Sequence, residues 1–348
     1  MRHLVRVFVP LIAIIIFVRF YFENPPGMQP IDNYPVWLRD SENRQTQQTS
    51  GLFYVGTFNG KKNFISCDDI GKVNRLEIDE SMNPPVPLIT PIEFSDEVKA
   101  LFSKFKKTDM EEIAYDKLTN KILLVIEGHE YSSNDPMIYR QKEGVYEVTF
   151  NNDILTFDTL MSIKRLSLPE EVYSYTFDNI GFEGFSVTPE YFYLGLENFQ
   201  KANEQFTDST FLYVLKRGSN ELKSISTREL GISSISGLYA PDDATLFGID
   251  RNMRQMFRIN FDDEHNVMST DKKTLDLSVP GHKDMANILG IAPESISMDE
   301  KGAFYVAIDP WLSFYKPDLA QRKLLSEEAQ FNFRKEVPIL YKFRNEFK

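Results

Sequence analysis

The chain has a single cysteine, Cys67, among 348 residues, so no disulfide can form within it. Cys67 falls late in an expected strand, where a free thiol acts as a small buried hydrophobe. Histidine is almost as scarce, at four, and with one cysteine these leave zinc no plausible ligand set. No G-x-S-x-G elbow, P-loop or H-E-x-x-H helix is present, which removes the common serine-hydrolase, nucleotide-binding and zincin signatures. Positive charge is in deficit: the formal net charge is −12 and no basic stripe occurs, so nucleic acid is excluded as a partner. Glycine is sparse, at 17, while aromatics reach 13%, a balance that suits packed sheet faces.

Long apolar runs are also missing, with one exception at the N-terminus. Arg2, His3 and Arg6 lead into VFVPLIAIIIFV, and Arg19 follows. Leu4 to Phe22 reaches the ~20 residues that span a bilayer if Arg6 and Arg19 snorkel. No A-x-A-like cleavage site follows, so residues 1–23 are expected to form an uncleaved signal-anchor helix; a removed signal peptide is the alternative. Basic residues before the run and acids after it place the remainder on the extracytoplasmic side of the inner membrane, or in the periplasm if the segment is cleaved. Residues 24–49, with four prolines and the polar run DSENRQTQQT, read as an extended linker.

Beyond residue 50 the chain repeats itself. DNIGFEGFSVTPEYFYLGLEN, residues 178–198, reads as a β-hairpin with an acid near each end, Glu183 and Glu197. Further copies place Glu111 with Glu127, Ser236 with Asp250, Glu294 with Asp309 and, with a longer turn, Ser50 with Asp68. The starts are 53 to 72 residues apart, and each copy is followed by a short strand such as KVNRLEI, MIYRQ, FLYVLKR, QMFRINF or LSFYK. Repeats of a few strands at this spacing are propeller blades. Residues 50–348 are therefore expected to be an all-β propeller of five blades, with six as the alternative. VPILYKF at 337 reads as a last strand that closes the ring against the first blade.

In a propeller the innermost strands line the axis, so Glu111, Glu183 and Glu294 are expected to converge on one channel mouth. Like charges ~6 Å apart at an effective dielectric near 20 repel by about 3 kcal/mol per pair, so protons, backbone N–H groups or a cation must relieve them. Oxygen donors favour Ca²⁺, and these three glutamates are the expected metal ligands. An inter-blade staple, in which each glutamate accepts hydrogen bonds from the next blade, is the equal alternative. Asp68, Glu127, Glu197, Asp250 and Asp309 are expected to ring the same mouth and to bind a small molecule or protein. His129 is the one candidate general base.

GFEGFSVTP with LEN, SISGLYAPDDATLFGIDRNMRQMFRI and ESISMDEKGAFYVAIDPWLSFYK together resemble the SdiA-regulated family of bacterial membrane-anchored β-propellers. The likeness covers roughly residues 50–316, and related blades occur in phytase-like calcium propellers. It implies five blades, an N-terminal membrane segment, and a match of Glu111, Glu183 and Glu294 to the glutamates that open the family's blades. Glu112 and Ser295 stand where that pattern has glycine. The function expected is ligand or partner binding at an acidic, Ca²⁺-bearing mouth, with a Ca²⁺-dependent hydrolase of phytase-like or lactonase-like type as the alternative.

Overall fold

The structure, a computed structural model, describes residues 27–130, 136–198, 208–286, 292–310 and 315–347. The expected membrane segment lies outside them. No helix among the described residues is long and apolar enough to cross a membrane.

Five antiparallel sheets form the blades of a β-propeller. Blade 1 comprises Thr49–Phe58, Lys61–Asp68, Lys72–Asp79 and Val86–Pro91, in sequence order from the axis outward. Blade 2 follows with Asp109–Asp116, Lys121–Glu127, Gly144–Phe150 and Thr159–Arg165; Glu93–Phe94 adds a short parallel strand outside it. Blade 3 is Phe182–Val187, Tyr191–Leu196, Phe211–Lys216 and Leu222–Ser226, and blade 4 is Gly237–Tyr239, Thr245–Asp250, Gln255–Phe261 and Val267–Thr274. The innermost strands pack side by side in cyclic order, and that of blade 1 meets blade 5.

Blade 5 is assembled from both ends of the described chain. Ala292–Pro293 and Ser297–Met298 form its inner edge, Phe304–Asp309 and Ile339–Phe343 its middle, and Val36–Trp37 its outermost strand. The stretch read as a linker is thus part of the ring. Val36 pairs with Leu340 and Trp37 with Ile339, and Met28, Tyr34, Val36, Trp37 and Leu38 are all buried. The prolines that suggested a tether are compatible with an outer edge, where an imide has no ladder bond to lose. The last strand, Ile339–Phe343, is internal to blade 5, yet it helps close the ring: Leu340 packs in one cluster with Leu52 and Phe64 of blade 1, and Lys342 Nζ lies 2.9 Å from Glu80 at the end of that blade's third strand.

The third strands of blades 2 and 5 also differ from expectation. MIYRQ lies in a helical turn, Pro136–Arg140, and Gly144–Phe150 takes its place. In blade 5 the Glu327–Arg334 helix intervenes, capped by the Ser326 side chain. Both blades insert a helix between second and third strands, whereas blades 1 and 4 turn tightly. The PPVPLITPIEF stretch, expected as a connection, supplies the edge strand of blade 1 and the parallel strand on blade 2.

Between blades the packing is apolar and aromatic. Phe182, Phe185 and Leu194 of blade 3 cluster with Leu123 and Val125 of blade 2, and Tyr305 of blade 5 lies edge-on against Phe64 of blade 1. On the face away from the strand starts, ions and hydroxyls bridge neighbouring blades: Arg217 to Asp116, Thr188 to Asp243, and Lys62 to Asp299 at 2.9 Å.

Candidate functional site

At the first three strand starts a β-bulge sits where the repeat places Ser50, Glu111 and Glu183. A bulge inserts one unpaired residue and re-aims its side chain. It frees Glu111 and Glu183 from the alternation of their strands, and both line the axial cavity. Glu294, between the two short inner strands of blade 5, joins them. The backbones approach closely beneath: a Cβ on Gly51 would lie 2.6 Å from the Ile113 nitrogen, and one on Gly237 would lie 2.5 Å from the Glu294 oxygen.

The cavity, about 280 Å³, is lined by Glu111, Glu127, Glu183, Glu197, Glu294 and Asp309, all expected from the repeat. Asp69 and Asp109 add two acids that the repeat did not single out. Two bases, Lys107 and Arg251, face these eight acids. Two other expected mouth residues fasten the segments that enter their blades instead. Asp68 accepts from the Gln47 backbone N–H at 2.9 Å, and Asp250 accepts from the Ser233 N–H and the Ser233 hydroxyl. Neither lines the cavity, because each carboxylate is turned to the segment that leads into its blade's first strand. His129 does not line it either; its Nδ1 lies 3.0 Å from Asp109 Oδ2. Cys67 is fully buried, as the free-thiol reading requires.

The acids divide into groups by partner. Arg251, in the turn after the second strand of blade 4, contacts Glu197 and lies 3.3 Å from Glu183 and 3.0 Å from Glu294. Blade 4 thus ties blade 3 to blade 5, so two of the three expected metal ligands hold a guanidinium. Lys107 Nζ lies 2.7 Å from Asp109 and 3.2 Å from Asp69. A third group, Asp109, Glu111 and Glu127, offers carboxylate oxygens that all lie within 4.8 Å of one another. Glu183 Oε2, Asp309 Oδ1 and Asp69 Oδ1 are buried without a hydrogen-bond partner.

Arg251 and Lys107 were missed because the repeat was read for its acids. Arg251 directly follows Asp250, the strand-end acid of the one copy after the first that opens on serine. A base there, in a ring that demands counter-charge, was the available signal. Deeper on the axis is Glu112, also missed as a site residue. It is almost fully buried, with its carboxylate on the Ile113 N–H and against the Leu52 and Leu238 N–H groups of blades 1 and 4.

Burial dominates the titration of this region. It pushes Glu111 well up, helped by Asp109 and Glu127, and it does the same to Glu127, Glu112 and Asp309. Asp68 is raised to about 7 and Asp69 to about 6, burial again being the main cause. Burial opposes the charge on Arg251, but Glu183 and Glu294 outweigh it and keep the guanidinium ionised. Acids raised in the folded state bind protons more tightly there than when unfolded. Their stabilising contribution is complete below pH ~4 and is lost as pH rises through the folded values. Asp40 and Asp116, held down despite burial by Arg44 and Arg217, are already ionised above that range and add no slope. Without divalent cations, the melting temperature is therefore expected to fall between pH 5 and 8. A flat or rising profile over that window contradicts the burial of these carboxyls.

The fold and this mouth define a five-bladed β-propeller with an acidic axial cavity. The chain matches no family model and no curated protein. Among solved structures it is similar to a luciferin-regenerating enzyme, with 14% identity over 79% of this chain and 73% of that one and a TM-score of 0.42. It is also similar to XC5397, a gluconolactonase from Xanthomonas campestris, at 10% identity over 82% and 78% (TM-score 0.43). A third is the PQQ-bound aldose sugar dehydrogenase from Streptomyces coelicolor, at 10% identity over 90% and 99% (TM-score 0.42). The blade count rests on this chain's own sheets.

Proposed function

We propose that this protein is a binding propeller of the SdiA-regulated type. In this reading it is anchored by residues 1–23 with the ring on the extracytoplasmic side, and it recognises a ligand or partner at its mouth through a bound Ca²⁺. The observation that carries the reading is the convergence of Asp109, Glu111 and Glu127, with oxygens within 4.8 Å of one another in the cavity. Oxygens bound to one Ca²⁺ at ~2.4 Å stand no more than about 4.8 Å apart, so this group meets the geometric limit for a shared ion. Buried carboxylates with raised proton affinity also have the most to gain from a cation that replaces the proton. The group regroups the expected set: Glu111 remains, while Glu183 and Glu294 are taken by Arg251.

Thermal unfolding with Ca²⁺ tests this. A ligand at a hundred times its Kd adds about 2.7 kcal/mol to the native state. The wild-type protein should therefore melt several degrees higher in saturating Ca²⁺ than in chelator, and Glu111→Gln with Glu127→Gln should abolish the shift. An equal shift in the double variant, or none in the wild type, rejects the site.

A second reading is favoured by the His129–Asp109 pair. In it the protein is a Ca²⁺-dependent lactonase-like or phytase-like hydrolase, His129 being the base that Asp109 orients. The ion would supply polarisation of a carbonyl or phosphoryl oxygen. Turnover of a lactone and phosphoester panel only with Ca²⁺, and its loss in His129→Asn, would select this reading over binding alone.

A further inference from the structure

We propose that Arg251 is a resident cation filling a second, latent metal position formed by Glu183, Glu197 and Glu294, and that it restricts the mouth to one exchangeable cation. The inference deepens the cation-binding reading of the same mouth, and it stands on different residues.

Three carboxylates from blades 3 and 5 meet around the guanidinium, which comes from blade 4 between them. Of the five strand starts only three carry acids, and blade 4 starts with Ser236, whose hydroxyl donates to the Pro293 carbonyl. Blade 4 therefore brings no carboxylate of its own to the axis at this level and brings a base instead. Glu183 is 7% exposed, and its Oε2 has no hydrogen-bond partner, so the position keeps a donor oxygen that the guanidinium does not use. A planar fork with five N–H donors can serve several carboxylates at once, and unlike a bound ion it cannot dissociate.

Two consequences follow for the mouth. The guanidinium offsets part of the charge of Glu183, Glu197 and Glu294 and bridges all three without any metal, so chelation leaves the contact between blades 3, 4 and 5 intact. The exchangeable ion is confined to the blade 2 side, at Asp109, Glu111 and Glu127. Removing the guanidinium leaves three carboxylates in one sheltered place with no counter-charge. Such a set must take up protons or a cation, and hard oxygen donors suit Ca²⁺.

The test is calorimetric titration of the full chain, stripped with chelator, with Ca²⁺ alone. The wild type should bind one ion and Arg251→Met two, with the second lost when Glu183→Gln and Glu294→Gln are added. Arg251→Lys, which keeps the charge, should bind one. A folded Arg251→Met that binds no more Ca²⁺ than the wild type overturns the proposal, as does a second ion that survives the added glutamine substitutions. If the wild type binds none and Arg251→Met binds one, the blade 2 site fails while this inference stands. If each binds one, the reverse holds. Should Arg251→Met be unfolded without Ca²⁺, it is expected to refold from urea in millimolar Ca²⁺; failure to do so also overturns the proposal.

Discussion

Removing the chain up to Asp40 is expected to abolish cooperative unfolding altogether. Val36–Trp37 is the outer strand of blade 5, and around it Leu38 donates to the Pro338 carbonyl at 2.8 Å and Ile31 to the Lys342 carbonyl at 2.8 Å. Trp37 packs edge-on against Phe333 at 5.2 Å, and Tyr34 lies edge-on to Tyr305 at 5.9 Å. At ~1.5–3 kcal/mol for each large apolar side chain, burial of Tyr34, Val36, Trp37 and Leu38 contributes on the order of 6–12 kcal/mol. That is comparable to the whole stability of a typical domain, about 5–15 kcal/mol. The truncation also uncovers the edge of Ile339–Phe343, whose residues are all buried, and an exposed apolar edge pairs with other chains. Calorimetry should show no sharp transition, and scattering should show aggregation. The milder Trp37→Ala should cost about 3–5 kcal/mol. A truncated protein that melts within a few degrees of the full chain would mean the ring closes without its N-terminal strand.

Glu143→Ala should be the most damaging single substitution among the acids near the mouth. Glu143 is fully buried, and its carboxylate accepts from the Gly128 N–H at 2.7 Å and the Phe182 N–H at 2.9 Å. It therefore joins the end of blade 2's second strand to the start of blade 3's first. It packs on Gly181 so closely that a Cβ there would sit 2.3 Å from Oε2. Burial raises its carboxyl to about 7. Alanine leaves two buried donors unpaired, at ~1–3 kcal/mol each, so a loss of about 4 kcal/mol in urea unfolding is expected. Glutamine, which keeps one acceptor, should cost about half as much. A loss under 1 kcal/mol in the alanine variant would show that water replaces the carboxylate and that no inter-blade tie exists here.

Much of this architecture is legible in the residues. The period-two hairpins with acids at their ends gave the five blades, and counting from Glu183 to Glu197 placed six of the eight carboxylates in one cavity. What stayed hidden depends on tertiary partners. Pro30 and Pro35 look like tether residues until Trp37 and Val36 are seen to face a hydrophobic blade edge whose strand lies some 300 residues away. Asp68 and Asp250 occupy equivalent repeat positions yet turn to the segments that enter their blades, a choice made by the N–H groups of Gln47 and Ser233. Above all, a pattern of acids does not reveal which of them are already neutralised. Arg251 holds Glu183, Glu197 and Glu294 while Lys107 holds Asp69 and Asp109, and each base lies outside the repeated hairpin itself.

The most direct measurement is a crystal of the protein grown with Tb³⁺ or Ca²⁺ and read by anomalous scattering. The account predicts one peak, coordinated by Asp109, Glu111 and Glu127, with the Arg251 guanidinium still seated among Glu183, Glu197 and Glu294. A mouth without a peak at saturating ion, or an ion that displaces Arg251 to sit on those three glutamates, would contradict it.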